Sequence, residues 1–370
     1  MRTLAALKFL SLLFIINFSC NAEPESNLKD DFEVVTIADG LENPWGMTWL
    51  PDGKMLVTEK RGEILVIEND AFEGVKLKGV PEVYNRGQGG LLDIQAHPNY
   101  AENGWIYFSY AKPGKGGGST AIMRAKLDGN QLVNKELIYE SFPKTNSGVH
   151  FGSRIDFKEG YIFFSIGERG EMENAQSVGN PFGKIHRLYE NGDLPEDNPF
   201  VKIPDAEHSI WSYGHRNPQG LQFHPATGNL WEHEHGPKGG DELNIVEKAK
   251  NYGWPEITYG IDYDGTIISN ETEKEGMMQP EHYWDPSIAP CGMTFVSSDR
   301  YPSWKGDLLL GSLKFQYLCR VNLDDEGKYI KEEKLLKGIG RVRHVAESPD
   351  GYIYVAVEGP GKIVKLVPKK

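Results

Sequence analysis

The feature that most constrains the fold is a turn that recurs six times along the chain. Each copy contains a glycine and is followed directly by an apolar, strand-like run; the glycines are Gly53, Gly104, Gly160, Gly228, Gly306 and Gly351. They lie 45 to 78 residues apart, and a second apolar run often follows the first. A hairpin repeated at this spacing is typical of a β-propeller, whose blades bury their faces only by stacking. The sequence therefore predicts an all-β, six-bladed β-propeller with four-stranded antiparallel blades.

The two ends of the chain fit a closed ring. Residues 32–37 form a strand-like segment before the first repeat, and residues 361–366 form the last apolar run. We predict that the N-terminal strand joins the blade that holds the C-terminus, so that residues 32–370 make one propeller. The chain has 42 glycines and 22 prolines, a balance that favours short strands and turns over helices. Two unrelated β-sandwiches are the alternative.

The first residues predict export. Arg2 and Lys8 precede an apolar run over residues 9–16, which is too short to span a bilayer stably. Residues 1–20 are therefore predicted to be a signal peptide, and residues 21–31 a polar tether. Cys20 favours a lipoprotein-type cleavage site, and ordinary cleavage after Ala22 is the alternative. We expect an exported protein, either periplasmic or lipid-anchored to the cell envelope, whose contact with a membrane is only through a lipid on Cys20.

Charge and cysteine content narrow the class of partner. The formal net charge is −13, which argues against a nucleic-acid partner. In such an acidic chain, a binding site for an anion has to be built from locally clustered lysines and arginines. Two cysteines, Cys291 and Cys319, follow the leader, too few for a disulfide scaffold. The sequence leaves open whether they pair.

Residues 148–154 contain the main candidate for acid–base chemistry. His150 lies just before a predicted strand, where a loop reaches the propeller channel. A single histidine is more often structural than catalytic, so its neighbours decide the interpretation. The glycine-rich segment 87–93, which includes Gln88, would let the backbone approach a ligand closely, although a tight turn needs the same residues.

Residues 213–220 combine hydrogen-bonding side chains with a proline-fixed turn. Arg216, Asn217 and Gln219 fall within four positions and are flanked by Gly214 and Gly220. They form a dense set of polar groups suited to a ligand. The alternative is an ordinary polar surface turn.

Residues 231–242 and the following loop carry potential metal ligands. His233 and His235 alternate on a strand and so share a face, a spacing that could suit zinc. Oxygen ligands are more numerous and favour calcium, because calcium binds carboxylates and carbonyls on irregular backbone. They are the free carbonyls of Gly236 and Pro237 and the carboxylates of Asp241, Glu242, Asp262 and Asp264.

Basic residues recur near the end of the chain. Arg341 and Arg343 alternate and would point the same way, and Lys314 precedes them. Together with Arg216 they are interpreted as a clamp for an anion. The alternative is a set of surface ion pairs.

In combination, these segments resemble one family, the soluble pyrroloquinoline quinone (PQQ)-dependent aldose sugar dehydrogenases of the glucose/sorbosone type. The resemblance runs from residues 43–46 to the final strand. Its most specific parts are the motifs at residues 216–220, 234–242 and 251–255. The resemblance implies a six-bladed propeller, in agreement with the repeat count.

The resemblance also implies roles for individual residues. His150 would be the general base and Arg216 would assist catalysis. The substrate would contact Gln88, Val149 and Arg169. The cofactor PQQ would contact Arg216, Asn217, Gln219, Lys314, Arg341 and Arg343. The resemblance implies two calcium sites. The carbonyls of Gly236 and Pro237 would form the site next to the cofactor. Glu242, the Tyr252 carbonyl, Tyr259 and Asp262 would form the other. Val149 and Arg169 depart from the glucose enzyme's pattern, which favours the aldose branch over glucose as preferred substrate.

The expected reaction is oxidation of the C1 hydroxyl of an aldose to a lactone. The hydride would pass to PQQ while His150 removes the hydroxyl proton, and an external electron acceptor would then reoxidise the cofactor. No Rossmann fingerprint opens a βαβ unit, which argues against a nicotinamide enzyme. The alternatives are a calcium-dependent propeller lactonase and a non-catalytic sugar- or protein-binding propeller.

Overall fold

A computed structural model describes residues 32–324 and 326–369, and these form six antiparallel sheets in a ring. The first sheet comprises β2 (Pro44–Trp49), β3 (Met55–Glu59) and β4 (Glu63–Ile67). The second comprises β5 (Leu91–Ala96), β6 (Ile106–Gly114), β7 (Gly117–Asp128) and β8 (Gln131–Glu140). The third comprises β9 (Ile155–Lys158), β10 (Tyr161–Ile166), β11 (Lys184–Tyr189) and β12 (Ile210–Tyr213).

The remaining sheets continue the same order. The fourth comprises β13 (Pro218–Phe223), β14 (Leu230–Glu234), β15 (Asp241–Val246) and β16 (His282–Trp284). The fifth comprises β17 (Pro290–Phe295), β18 (Leu308–Ser312), β19 (Tyr317–Leu323) and β20 (Tyr329–Leu335). The sixth comprises β21 (Val342–Glu347), β22 (Ile353–Val357), β23 (Lys362–Pro368) and β1 (Phe32–Asp39). A short helix, α1 (Tyr100–Asn103), and a 3₁₀ turn (Met172–Ala175) complete the described elements.

The predicted six-bladed propeller is confirmed. β1 pairs with β23 in register from Phe32–Pro368 to Asp39–Lys362, so the N-terminal strand closes the last blade as expected. The first blade has three strands, and residues 75–77 pair with its outer strand β4 by an isolated bridge instead of a regular fourth strand. The predicted leader and tether lie outside the described residues. Within the described ranges, no helix is long and apolar enough to cross a membrane.

The six repeat glycines all precede the second strand of a blade. Each has a positive φ, between 68° and 90°, which glycine adopts without the steric cost of a Cβ. They therefore mark one face of the ring, and the loops that carry the candidate site residues lie on the other. The apolar runs that follow the glycines fill clusters at the interfaces between neighbouring blades. For example, Leu56 and Ile64 of the first blade pack with Ile94 and Phe108 of the second.

The centre of the ring is held by one buried arginine. Arg154, on the third blade, is 2% exposed. It forms hydrogen bonds with four of the other five blades. Its donors reach Asp93 Oδ1 (3.2 Å), the Gln219 carbonyl (2.8 Å), Cys291 Sγ (3.6 Å), the Arg343 carbonyl (3.0 Å) and His344 Nδ1 (2.9 Å). The guanidinium also lies 3.9 Å from the centre of the Trp45 ring, on the remaining blade. Because arginine can only donate, His344 must be neutral at Nδ1; burial, with Arg154, holds its pKa well below the ordinary value.

Arg154→Met is expected to lower the free energy of unfolding by about 3–5 kcal/mol, because it leaves the Asp93 carboxylate buried without its cation. Denaturant unfolding measures the change. The control is Lys305→Met, since Lys305 and its partner Asp299 have 54% and 89% exposed side chains. It should change stability by less than about 1 kcal/mol. An unchanged unfolding midpoint for Arg154→Met would show that the axial contacts do not stabilise the ring.

Candidate active site

A cavity of about 330 Å³ opens on the face opposite the repeat turns. Its lining combines cations, amides and an acid with a few apolar side chains. The polar members are Asn43, Lys60, Gln88, Asn217, Gln219, His235, Arg341, Arg343 and Glu358, and the aromatic ones are Trp45 and Phe151. Arg154 closes the channel beneath, since three of its contacts, Trp45, Gln219 and Arg343, belong to this lining. A ligand in this cavity would meet both charge and hydrogen-bonding groups.

His150, which directly precedes the lining residues Phe151 and Gly152, forms a buried dyad with Glu168. Its Nδ1 lies 2.7 Å from Glu168 Oε1, and the two side chains are 12% and 2% exposed. A carboxylate can only accept, so Nδ1 carries the proton and Nε2 presents a lone pair. Burial lowers the pKa of His150 below its ordinary value, although the Glu168 carboxylate opposes that shift. The imidazole is therefore neutral at pH 7 and able to accept a proton.

The backbone at His150 is held in an uncommon conformation. Its φ is 53°, in the left-handed region that side chains other than glycine seldom occupy. The His150 N–H donates to Gln88 Oε1 (2.7 Å), and the Gly152 N–H donates to Asn217 Oδ1 (3.1 Å). Strain of this kind costs of order 1–3 kcal/mol and persists only where the surroundings impose it. Gln88 and Asn217 thus fix the position of the imidazole from two different loops.

Glu168 is in turn fixed by the loop that follows β10. Its Oε2 accepts the Gly170 and Glu171 N–H groups, the latter at 3.1 Å, and its own N–H donates to the Arg216 carbonyl (2.9 Å). No sequence motif points to Glu168, although its neighbour Arg169 is a predicted substrate contact. A carboxylate 18 residues from a histidine gives no local signal of pairing. Only the return of β10 alongside β9 brings the two together.

Arg216 lies beside the dyad with its side chain on the loop after β14. Its backbone N–H donates to the Glu234 carboxylate, and Nη1 donates to the carbonyls of His235 (3.0 Å) and Gly236 (2.8 Å). Its Nε is buried and has no hydrogen-bond partner among the described residues. A buried donor without a partner is costly, so this group marks a polar position whose hydrogen bond the described residues do not supply.

The two arginines of the predicted anion clamp converge, but on a carboxylate of the chain. Arg341 Nε donates to Glu358 Oε1 (2.6 Å) and Arg343 Nε to Glu358 Oε2 (2.6 Å). Although burial acts to raise the pKa of Glu358, the two guanidinium groups lower it. Arg341 remains 45% exposed, whereas Arg343 is 14% exposed and also contacts Gln219 and Cys291.

Lys314 lies outside the cavity lining. It is exposed, and its ammonium lies 5.1 Å from the centre of the Phe315 ring. Lys60, to which no sequence motif points, supplies a third cation instead, with Nζ donating to the Gly87 carbonyl (2.6 Å). Burial and the nearby Arg343 charge lower the pKa of Lys60. The local charge of the cavity is therefore positive even with Glu358 present.

The loop at residues 235–240 positions the carbonyls expected to bind calcium. The Asp241 carboxylate accepts the Gly236 N–H (2.8 Å) and the Ala289 N–H (2.7 Å), which fixes the loop to the next blade. A Cβ on Gly236 would lie 2.2 Å from the Gly240 carbonyl oxygen, so only glycine fits. The two carbonyls are not free as expected: Gly236 accepts Arg216 Nη1, and Pro237 accepts Ser287 Oγ (3.2 Å).

The residues predicted for a second calcium site are brought together in part. Burial, followed by the charge of Glu234, raises the pKa of Glu242 well above its ordinary value. Burial and then the charge of Glu242 raise the pKa of Tyr259. The Tyr252 ring stacks on the His215 ring, with the two ring centres 4.5 Å apart. Asp262 belongs to the outer loop, where its Oδ1 accepts the Tyr263 N–H (2.6 Å).

Neither histidine of the pair at 233 and 235 has a free ligand position at Nε2. His233 Nε2 lies 3.1 Å from the Gly292 carbonyl, and His235 Nε2 lies 2.8 Å from the Pro290 carbonyl. Burial lowers the pKa of His233 to about 3 and that of His235 well below its usual value. These rings link β14 to β17, which does not support the zinc interpretation of their spacing. The two cysteines, Cys291 and Cys319, are buried and unpaired.

Val149 and Arg169, the two positions that depart from the glucose-type pattern, differ in exposure. Val149 is 37% exposed beside His150, whereas Arg169 is 1% exposed and stacks on Phe151 at 3.4 Å. Arg169 donates to the carbonyls of Val149 and Ser147, the latter at 2.7 Å. Its effect on a substrate would therefore be indirect, through the loop that carries Val149.

Known proteins resemble this chain in sequence and in fold. Residues 41–365 match the sequence profile of the Glucose / Sorbosone dehydrogenase family. The aldose sugar dehydrogenase of Escherichia coli K12 is 39% identical, over 91% of this chain and 93% of that protein. Quinoprotein glucose dehydrogenase B of Acinetobacter calcoaceticus is 26% identical, over 98% and 94%. The PQQ-bound aldose sugar dehydrogenase of Streptomyces coelicolor superimposes with a TM-score of 0.76 at 27% identity, covering 91% of this chain and 98% of that one.

Glu168→Gln is expected to lower the pKa of His150 further, because the carboxylate is the group that stabilises the protonated ring against burial. An NMR titration of the His150 ring in wild type and variant measures the shift. His224 is the internal control, since burial alone lowers its pKa. A His150 pKa that rises in the variant would contradict the dyad.

Proposed function

Because the chain belongs to the Glucose / Sorbosone dehydrogenase family, we propose that it is a PQQ- and calcium-dependent aldose sugar dehydrogenase that converts the C1 hydroxyl to a lactone. The observation that carries the proposal is that a cavity lined by three cations is also lined by Phe151 and Gly152, which directly follow His150 of the His150–Glu168 dyad. A base and an anion-binding cavity at one place suit a proton-removing step beside a negatively charged cofactor.

The cavity fits an anionic, planar cofactor. Lys60, Arg341 and Arg343 would face its carboxylates, and Asn217 and Gln219 would bond to its polar edge. Bound there, PQQ would supply the electrophilic carbonyl that accepts a hydride, which no side chain provides.

The donor set at residues 236–237 suits calcium, since it consists of backbone carbonyl oxygens on an irregular loop. Arg216 Nη1 already bonds to the Gly236 carbonyl at 2.8 Å, so a calcium ion and the guanidinium would compete for that oxygen. Glu242 would serve the second site, where a cation would stabilise its ionised form. We propose Tyr252 and Tyr259 as its neighbours there and assign Asp262 no direct contact.

His150 would remove the proton of the C1 hydroxyl at Nε2. Glu168 holds the proton on Nδ1 and would stabilise the imidazolium that forms, and Gln88 fixes the backbone of the base. The Gln88 side chain lines the cavity, so its amide NH₂ is placed to donate to a sugar oxygen. Val149 leaves an apolar, half-exposed surface there, which favours substrates that are not bound through a charged contact. An exported location would let an external acceptor collect the electrons.

The proposal is tested by dye reduction with aldoses after adding PQQ to purified protein, with and without calcium. An aldose dehydrogenase reduces dye only when the quinone and calcium are both present. A lactonase would instead hydrolyse lactones with no quinone. A binding protein would do neither, and either outcome would overturn the proposal.

His150→Asn is expected to lower kcat by roughly 10²–10⁴-fold, the usual contribution of a placed base, with PQQ affinity unchanged. Asparagine is chosen because it tolerates the left-handed backbone at this position. Steady-state rates at saturating sugar measure kcat, and titration of the quinone measures affinity. A variant with near wild-type kcat would remove His150 from the proposed mechanism.

Arg341→Ala is expected to weaken PQQ binding about 10- to 100-fold, with the rate largely recovering at saturating cofactor. Both arginines donate to Glu358, but Arg341 tests the anion clamp better because it is 45% exposed, whereas Arg343 is largely buried and also donates to Gln219 and Cys291. Calorimetric titration of PQQ measures the affinity, and Lys305→Ala is the control. Lys314→Ala should have a smaller effect than Arg341→Ala, and a larger one would place Lys314 in the clamp. Unchanged affinity in Arg341→Ala would contradict the assignment.

A further inference from the structure

A further group of potential metal ligands, distinct from those considered for calcium, lies inside the fourth blade. His215 follows β12, and Glu232 and Glu234 alternate on β14, so that both carboxylates point to the same side of the strand. The three residues are 0%, 0% and 4% exposed. One ligand atom from each lies within 4.8 Å of the others.

The distances in this group are too long for hydrogen bonds. His215 Nδ1 lies 3.5 Å from Glu232 Oε1 and 3.4 Å from Glu234 Oε1, whereas charge-assisted N–H···O bonds are about 2.7–2.9 Å. Two other histidine–glutamate pairs in the described structure have nitrogen–oxygen distances within this hydrogen-bonding range. His150 and Glu168 are 2.7 Å apart, and His97 and Glu190 are 2.9 Å apart. The separation around His215 leaves room for something between the three groups.

Two atoms of the group have no partner. His215 Nδ1 and Glu232 Oε2 are both fully buried, and neither makes a hydrogen bond within the described ranges. No lysine or arginine described in the structure forms an ion pair with Glu232 or Glu234. Buried carboxylates are normally paired with a cation or bound to a metal. If a metal displaced the proton of His215, the two carboxylates would balance the charge of one divalent ion.

The spacing and the surrounding contacts suit a transition metal. Tetrahedral metal–ligand bonds of about 2.0–2.1 Å place ligand atoms roughly 3.3–3.4 Å apart, close to the two distances from Nδ1. His215 Nε2 lies 2.8 Å from Ser212 Oγ, which suits a ring with its proton on Nε2 and a lone pair on Nδ1. Asn244 Nδ2 donates to Glu232 Oε1 (2.8 Å), and the Asn217 N–H donates to Glu234 Oε2 (3.0 Å). Each ligand is thus oriented by a neighbour.

We propose that His215, Glu232 and Glu234 bind a divalent transition metal, with zinc the best match to one imidazole and two carboxylates. An imidazole ligand separates this site from calcium sites, which use oxygen alone. Because the site is fully enclosed, its role is structural. Glu234 also accepts the backbone N–H groups of Arg216 and Asn217, so the metal would fix the loop that carries both side chains to the cavity.

The test is elemental analysis of protein expressed in zinc-supplemented medium and purified without chelator. Wild type should retain about one zinc ion per chain after dialysis against metal-free buffer. Cells grown with cobalt instead should yield protein with the visible absorption of four-coordinate Co²⁺. Absence of both a stoichiometric transition metal and the cobalt spectrum would overturn the proposal.

Two variants and one control locate the metal. Glu232→Gln keeps the shape of the side chain and should lower zinc content at least tenfold, and His215→Asn should do the same. His97→Asn replaces another buried histidine that faces a glutamate and should keep the full zinc content. If His215→Asn does not fold, Glu232→Gln decides alone. Full zinc content in Glu232→Gln, or loss in His97→Asn, would place the metal elsewhere and overturn the assignment.

Discussion

The structure depends on a cation enclosed at the axis of the ring. Arg154 reaches a group on each of the other five blades, and a guanidinium with five donors is the side chain that can do so. Around it, polar side chains of the innermost strands accept backbone N–H groups of the next blade. Asp93 accepts the Ile155 N–H, Asp156 accepts that of Phe223, and Gln222 accepts that of Phe295. Apolar packing between blades supplies the bulk of the core, and these contacts fix how the blades meet at the centre.

The same arginine separates two cavities on the axis. The one of about 480 Å³ lies on the side of the repeat turns and includes Arg154 in its lining. The one of about 330 Å³ is the candidate site, and the Arg154 partners Gln219 and Arg343 form part of its lining. The loops on this side carry the strained His150, the Arg216 turn and the glycine loop at residues 235–240. A preorganised site requires side chains held in fixed positions. A rigid axis, with conformationally restrained loops on one face, provides this.

The sequence was most informative where the chain repeats. Six glycine turns predicted six blades, and the strand at residues 32–37 predicted the closure of the ring, because both are local patterns. Candidate site residues can be predicted where a short motif concentrates them, as at Asn217 and Gln219, which line the cavity. No local pattern predicts the contacts of Glu168, Lys60 and Glu358, because their partners lie on segments that are distant in the sequence and meet only after folding. Glu358 pairs with both Arg341 and Arg343, a contact that alternation on one strand could not reveal.

The most direct test of the account is a crystal structure of the protein with PQQ and calcium. The account predicts the quinone in the cavity of about 330 Å³, in contact with Arg341 and Lys60 and beside His150. It also predicts that calcium competes with Arg216 for the Gly236 carbonyl. PQQ bound in the cavity on the opposite face, or in neither cavity at saturating concentration, would contradict the central claim.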